Sequence, residues 1–330
     1  MTAGAVRIAD RPRPEAEGSG GVFSQTWFPV CLSEEAAEGV VKGFDFLGGR
    51  VIVVRDADGR PQVLSAYCPH LGADLCTGEM VEGTVRCPFH FWRYGPDGRC
   101  VATGSGDPIP PTANLFAFPT VEKFGCIFAF NGAEPLFDLP DFPGAPEKLV
   151  WKIGEYDRLM PADPWVICCN TPDMQHIQVV HGISFDNGMP HQDVEWTQHS
   201  MVYHFRGKMR DGTAIEFRVG IFGTNIYWQD GYVDGRWFGF VAPMGLPEPG
   251  KSRLFFAVAV GADDADPEGT RVFLDAMYDM EVRIATEDLP IIERARFRPG
   301  TLTKADRTLG RFLQYLRDHP RAHPSADFIG

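Results

Sequence analysis

The run from Tyr67 to Trp92, YCPHLGADLCTGEMVEGTVRCPFHFW, places Cys68 and His70 on one short loop and Cys87 and His90 on another, with sixteen residues between His70 and Cys87. Outward from it, between Val40 and about Asn131, the text alternates short apolar runs with turn signals. FDFLGGRVIVV gives way to DADGR, PQVLSAY resumes a strand, and VEGTVRCP, YGPDGRCV and FGCIFAFNG repeat the pattern. Brief strands separated by Gly- and Asp-rich turns predict a small all-β domain carrying the two loops. Two thiolates and two imidazoles delivered in this way have the chemistry of a mixed-ligand [2Fe-2S] cluster, with both cysteines on one iron and both histidines on the other. Neutral nitrogen ligands in place of two thiolates raise the reduction potential, so such a cluster relays single electrons. A structural zinc site is the competing metal reading, but zinc-finger spacings keep the cysteines together and put both histidines downstream.

The chain has 330 residues, room for about two domains, and 44 acidic against 31 basic residues give a formal charge of −13. That field repels phosphate backbones, so no nucleic-acid partner is expected. The start of the chain, MTAGAVRIADRPRPEAEGSG, has no apolar signal core, and residues 1–25 are read as a flexible arm. No apolar run is long enough for a transmembrane segment. Eight cysteines without a signal peptide fit a reducing cytoplasm better than four disulfides; Cys31, Cys76, Cys100, Cys126, Cys168 and Cys169 are read as small core residues or surface thiols. The proline-rich stretch Ala133–Val150 marks the exit from the β domain, giving expected domains at 26–140 and 141–330.

Beyond that exit a helix is expected within Ile167–His181. Strands of one antiparallel sheet are expected at Ala214–Trp228, Arg236–Pro243, Ser252–Val260 and Arg271–Met280, with a Gly/Pro turn cluster from Met244 to Gly250. Ile284–Arg296 reads as partly helical with Pro290 at a start or kink, and Lys304–Arg317 as an amphipathic helix stopped by His319-Pro320. No dinucleotide fingerprint or phosphate loop occurs. Within the first helical segment, His176 and His181 are five apart, about 500° around a regular helix, so they converge only if the helix breaks. By themselves two such imidazoles read either as metal ligands or as ordinary packing and surface residues; as ligands they need a carboxylate to complete a set that leaves positions open for chemistry. On residue type alone Glu287, Asp288 and Asp279 all qualify as the carboxylate, and Asp173, following Pro172, reads as a helix cap. His191, His199 and His204 read as structural or solvent-facing, and no individual aromatic among Phe116, Phe118, Phe255, Phe256 and Tyr278 is singled out for specificity.

Cys68, His70, Cys87 and His90 match the C-x-H…C-x-x-H signature of Rieske proteins. Trp92 and the turn Gly95-Pro96-Asp97-Gly98 resemble that signature's surroundings, while Phe91 stands where the family often has glycine. The segment NTPDMQHIQVVH from Asn170 to His181 resembles the D-x-x-H-x-x-x-x-H pattern of the Rieske non-haem iron oxygenases. Glu287, Asp288 and Glu293 resemble the E-D-x-x-x-x-E segment of the vanillate O-demethylase and dicamba demethylase branch. The resemblance, from roughly Trp27 to Arg296, implies an α+β fold: a Rieske domain plus a catalytic domain whose curved antiparallel sheet packs against helices in a helix-grip-like manner. It further implies that Asp288 joins His176 and His181 on the mononuclear iron, and that Asp173 bridges an iron histidine to a cluster histidine of a neighbouring subunit, hence a homotrimer. The implied activity is that of a terminal oxygenase taking electrons from a separate NAD(P)H-dependent reductase, with or without a ferredoxin, and using O2 to hydroxylate or demethylate an apolar or aromatic small molecule. Ring dihydroxylation, a plain electron-transfer protein and a zinc-stabilised binding module are the alternatives.

Overall fold

In the computed structural model, residues 13–298 and 301–330 are described. They form two compact units. One comprises Glu17–Leu139, Met244–Arg253 and Pro320–Gly330; the other is built from Pro140–Pro243 and Leu254–His319.

The first unit is all-β apart from single helical turns and the short C-terminal helix Ala326–Ile329. A four-stranded sheet includes Lys42–Phe46, Gly49–Arg55 and Pro61–Ser65, and a second contains Thr84–Arg86 and Arg93–Tyr94. Alternation sorts the central strand Gly49–Arg55 into two cores: Val51 and Val53 pack with Phe28, Phe46 and Phe118, whereas Ile52 and Val54 pack with Leu64, Leu75, Val85 and Tyr94 around Cys68 and Cys87. Of the segment expected as an arm, residues 1–12 lie outside the described residues, and the part from Glu17 to Ser24 is held. Phe23 and Ser24 pair with Ala322 and Arg321, and the Ser24 hydroxyl donates to Glu17 Oε1 at 2.6 Å. Distant pairing partners explain why local composition suggested a free arm.

The second unit is an eight-stranded antiparallel sheet with helices. Its edge-to-edge order is Leu149–Glu155, Lys251–Gly261, Arg236–Glu248, Ile226–Val233, Ala214–Phe222, Ser200–Lys208 and Ser184–Phe185, with Glu195–Trp196 also pairing to Ser200–Lys208. Two expectations are corrected. Ala214–Trp228 is two strands, because Gly223, at φ 57°, turns the chain into a hairpin. Arg271–Met280 is not a strand but part of the helix Pro267–Ile292 (α3). Asp266 caps this helix by accepting from the Gly269 N–H, Pro267 occupies its first turn, and Thr270, Leu274, Met277 and Glu281 bury one face at helical spacing. The Val272-Phe273-Leu274 run suggests a strand only when this longer period is overlooked. The expected Gly/Pro turn is also shorter, since Arg236–Glu248 stays extended until Pro249-Gly250 reverses it. Ile284–Arg296 is the end of α3, with Pro290 in its last turn, and Arg307–Asp318 forms the amphipathic helix, burying Phe312, Leu313 and Leu316. Among the described residues no helix is long and apolar enough to cross a membrane.

Candidate metal centres

Each of the two loops in the first unit is a closed backbone turn. The Cys68 N–H donates to Ala73 O at 2.9 Å and the Gly72 N–H returns to Cys68 O at 2.8 Å; in the second loop Cys87 N–H reaches Trp92 O at 2.8 Å and Phe91 N–H reaches Cys87 O at 3.1 Å. Both cysteines are 2% exposed, whereas His70 is exposed and His90 half-buried, so the thiol side faces the core and the imidazole side faces outward. The imidazole rings lie 4.6 Å apart, and Trp92 stacks on His70 at 4.5 Å, almost parallel. His90 Nδ1 is buried without a hydrogen-bond partner, the state of a nitrogen reserved for a metal. Donor chemistry, burial and this orphaned nitrogen fit a [2Fe-2S] cluster held by Cys68, His70, Cys87 and His90.

Sequence reading missed Tyr94, whose hydroxyl is 2.9 Å from Cys68 Sγ. Burial raises the phenol pKa far above its ordinary value, so the O–H stays protonated and donates to sulfur. Hydrogen bonds to cluster sulfurs favour the reduced state, and a difference of about 1 kcal/mol corresponds to roughly 40 mV for one electron. Tyr94→Phe should therefore lower the cluster potential by roughly 40 mV in a spectroelectrochemical titration; an unchanged potential would remove this role from Tyr94.

Phe91 adopts φ 58°, a left-handed conformation costly for a bulky residue, where the resembled family often has glycine. Beside it Gly104 packs so closely that an added Cβ would meet the His90 carbonyl oxygen at 1.9 Å. Gly104→Ala must displace the second loop, so we expect it to cost about 1–3 kcal/mol and to lower cluster occupancy, measured by visible absorbance per chain. Full occupancy with unchanged melting would show that the loop accommodates the methyl group.

The second constellation lies wholly in the other unit. Where one helix was expected, Pro164–Cys168 (α1) and Met174–Val179 (α2) are separated by an irregular stretch. The Asp173 carboxylate caps α2, its Oδ1 accepting from the His176 N–H at 3.0 Å. The helix ends at Val179, and Gly182, at φ 68°, turns the chain while Arg210 donates to Val180 O at 2.7 Å. This is the break that five-residue spacing requires, and it swings His181 back toward His176.

His176 Nε2 lies 3.0 Å from His181 Nε2 and 3.2 Å from Asp288 Oδ2, while His181 Nε2 is 3.4 Å from Asp288 Oδ1. Two bonds of about 2.1 Å at right angles hold their donor atoms about 3.0 Å apart, so the histidine spacing is that of two ligands on one ion. Asp288 Oδ1 is buried and has no hydrogen-bond partner, while Oδ2 accepts from Asn170 Nδ2 at 2.9 Å. Burial alone would raise the Asp288 pKa, but hydrogen bonds from His176 and His181 outweigh it and hold the carboxyl at about 2, so it is ionised. An orphaned carboxylate oxygen and two facing ring nitrogens fit a divalent metal, and among the described residues His176, His181 and Asp288 form the group able to hold one.

Glu287, an alternative ligand on residue type, is placed differently: its Oε2 lies 2.9 Å from His181 Nδ1, on the outer side of the ring. For His181, burial lowers the pKa, but the bonds to Asp288 and Glu287 overcome it and raise the pKa. Asp279 does not join the group. His191 bonds Thr308 and His204 pairs with Glu216 near the surface; neither they nor His199 converge on it.

The Rieske [2Fe-2S] domain family matches residues 26–119. The chain is 32% identical over 166 residues to the oxygenase component of 3-ketosteroid-9-alpha-monooxygenase from Rhodococcus rhodochrous, covering 48% of this chain and 43% of that protein. It is 34% identical over 171 residues to cholesterol 7-desaturase from Bombyx mori, covering 49% and 36% respectively. The chain thus matches less than half the length of these relatives. In fold it is similar to dicamba monooxygenase bound to dicamba, with a TM-score of 0.68 at 20% identity, covering 89% of this chain and 97% of that one. It is similar too to NdmA of Pseudomonas putida CBB5 with caffeine, with a TM-score of 0.66 at 19% identity, covering 89% and 90%.

The chain contains a Rieske [2Fe-2S] domain at residues 26–119, followed in sequence by a sheet-rich unit, and in fold it is similar to dicamba monooxygenase. Its α+β architecture, a small all-β cluster domain with a curved-sheet unit packed against helices, is the one shared with dicamba monooxygenase and NdmA.

Proposed function

We propose that this chain is the terminal oxygenase component of a monooxygenase, which hydroxylates or oxidatively demethylates an apolar or aromatic small molecule with O2. The observation that carries the reading is the convergence of His176, His181 and Asp288 in a chain that also carries a Rieske domain. When bound, the [2Fe-2S] cluster supplies single electrons and the mononuclear Fe(II) supplies dioxygen activation. Every other part falls to the chain. Cys68 and Cys87 anchor the cluster in the core while His70 and His90 present its outer edge to a donor. Asn170 fixes the Asp288 carboxylate by donating to Oδ2, leaving Oδ1 for the metal. Glu287 accepts from His181 Nδ1–H, fixing the tautomer whose Nε2 lone pair points to the metal.

Asp173 spends one oxygen on capping α2, which leaves the other for a donor from outside the helix. That supports the bridging role, in which a cluster histidine of a neighbouring subunit meets Asp173 in a head-to-tail homotrimer. Electrons are proposed to come from a separate NAD(P)H-dependent reductase, with or without a ferredoxin, in the cytoplasm. Relatives bearing the names of a 3-ketosteroid monooxygenase and a cholesterol desaturase favour single-site oxidation over ring dihydroxylation. The test is to incubate the iron-loaded protein with a generic reductase, labelled dioxygen and a panel of apolar candidates, reading products by mass spectrometry. One labelled oxygen in the product, or formaldehyde from a lost methyl group, is expected; two labelled oxygens would redirect the reading to dihydroxylation, and reduced cluster with no product from any candidate would favour an electron-transfer protein.

A further inference from the structure

Glu281 is a carboxylic acid 4% exposed on α3, and the metal group does not use it. It lies seven residues before Asp288, two turns along the same face of the helix, so about 10 Å separates the two backbone positions. Its Oε1 accepts from Gln229 Nε2 at 3.1 Å, and Gln229 Oε1 in turn accepts from the Tyr227 hydroxyl. Tyr227 and Gln229 are two apart on the strand Ile226–Val233 and therefore share the sheet face turned to α3. The chain of bonds is one-ended: Glu281 Oε2 has no hydrogen-bond partner among the described residues. Burial pushes the Glu281 carboxyl up to about 8, against the lowering effect of the Gln229 amide, so at neutral pH it keeps its proton. Unlike Asp288 Oδ1, Glu281 Oε2 is not among the fully occluded atoms that lack a partner, so its O–H remains open to an acceptor supplied by a ligand. Between Glu281 and Asp288 the same helix face carries Ile284 and Ala285, both apolar and both retaining accessible surface, as does Tyr227 opposite.

We infer that Glu281, oriented by Gln229 and Tyr227, donates a hydrogen bond to a neutral carbonyl or hydroxyl oxygen of an elongated apolar substrate, about 10 Å from the carbon placed beside the metal. This rests on the oxygenase reading and names the substrate class for the same site. The bland role of a polar group tying α3 to the sheet accounts for the Gln229 bond but not for the unused second oxygen.

The test uses rigid probes of the required length, 5α-androstan-3-one and its deoxy parent 5α-androstane, titrated by calorimetry into iron-loaded protein under anaerobic conditions. Wild type should bind the ketone about tenfold more tightly than the hydrocarbon, the worth of one buried hydrogen bond. Glu281→Gln retains an N–H donor and should keep most of that preference, whereas Glu281→Leu should abolish it while iron content and cluster absorbance stay unchanged. Equal binding of the two probes by wild type, binding of neither, or a preference surviving in Glu281→Leu overturns the inference. The wild-type comparison stands by itself if the leucine variant does not fold. Iron content and cluster absorbance on the same samples separate this failure from failure of the oxygenase reading, which would show as protein that holds no mononuclear iron.

Discussion

Asp288→Ala should take the chain from about three irons to about two and abolish O2-dependent product formation while leaving the visible spectrum of the cluster unchanged. The carboxylate is the only anionic member of the convergent group, and its Oδ1 is buried with no hydrogen bond to satisfy it. Removing it leaves two neutral imidazoles, which hold Fe(II) poorly. The fold should survive, because the side chain belongs to no apolar core and its deletion removes a buried charge instead of leaving one unpaired. The cluster residues sit in the other compact unit, on loops closed by their own backbone bonds, so they lose nothing. Iron analysis, the spectrum of the reduced cluster and single-turnover product formation measure the three parts separately. Retention of full turnover in Asp288→Ala would remove the group from the chemistry; loss of the cluster as well would show that the variant misfolds.

What could be read beforehand divides along physical lines. The cluster loops were legible because each carries its cysteine and histidine within four residues, so no tertiary knowledge is needed to bring them together. The need for a break after the first histidine was legible from the 100° per residue of a helix, and the structure ends α2 at Val179. Its cause, the left-handed Gly182 with Arg210 on the Val180 carbonyl, depends on a residue thirty positions away from Val180. Arg271–Met280 reads as a strand from its β-branched and aromatic residues, whereas the burial of Thr270, Leu274 and Met277 follows the longer helical period. Tyr94 gave no signal, since a buried tyrosine next to a turn is ordinary until its partner, Cys68, is placed 2.9 Å away. Gln229 and Glu281 were equally silent: their pairing joins a strand to a helix across 52 positions.

The neighbouring acids Glu287 and Asp288 show why residue type alone could not settle the carboxylate. Adjacent helix positions differ by about 100°, so both reach the histidines but from different sides. Asp288, with the shorter side chain, faces the Nε2 atoms; Glu287 reaches around to His181 Nδ1 at 2.9 Å. With Fe(II) bound, that bond keeps the ring proton on Nδ1 and leaves the Nε2 lone pair for the metal, and it adds negative charge behind the ring that strengthens the nitrogen as a ligand. Replacing Glu287 with alanine should therefore weaken Fe(II) binding by about 10- to 100-fold in a chelator competition, the usual cost of losing such an outer partner. Glu287→Gln keeps an acceptor for Nδ1–H but not the charge and should fall between the two. Product formation per bound iron should drop less than iron affinity, because the ligands themselves remain. Were Glu287→Ala to hold iron as tightly as the unaltered chain, His181 would be oriented by the turn at Gly182 alone; were it to lose iron as completely as Asp288→Ala, Glu287 would be a ligand and the carboxylate assignment would pass to it.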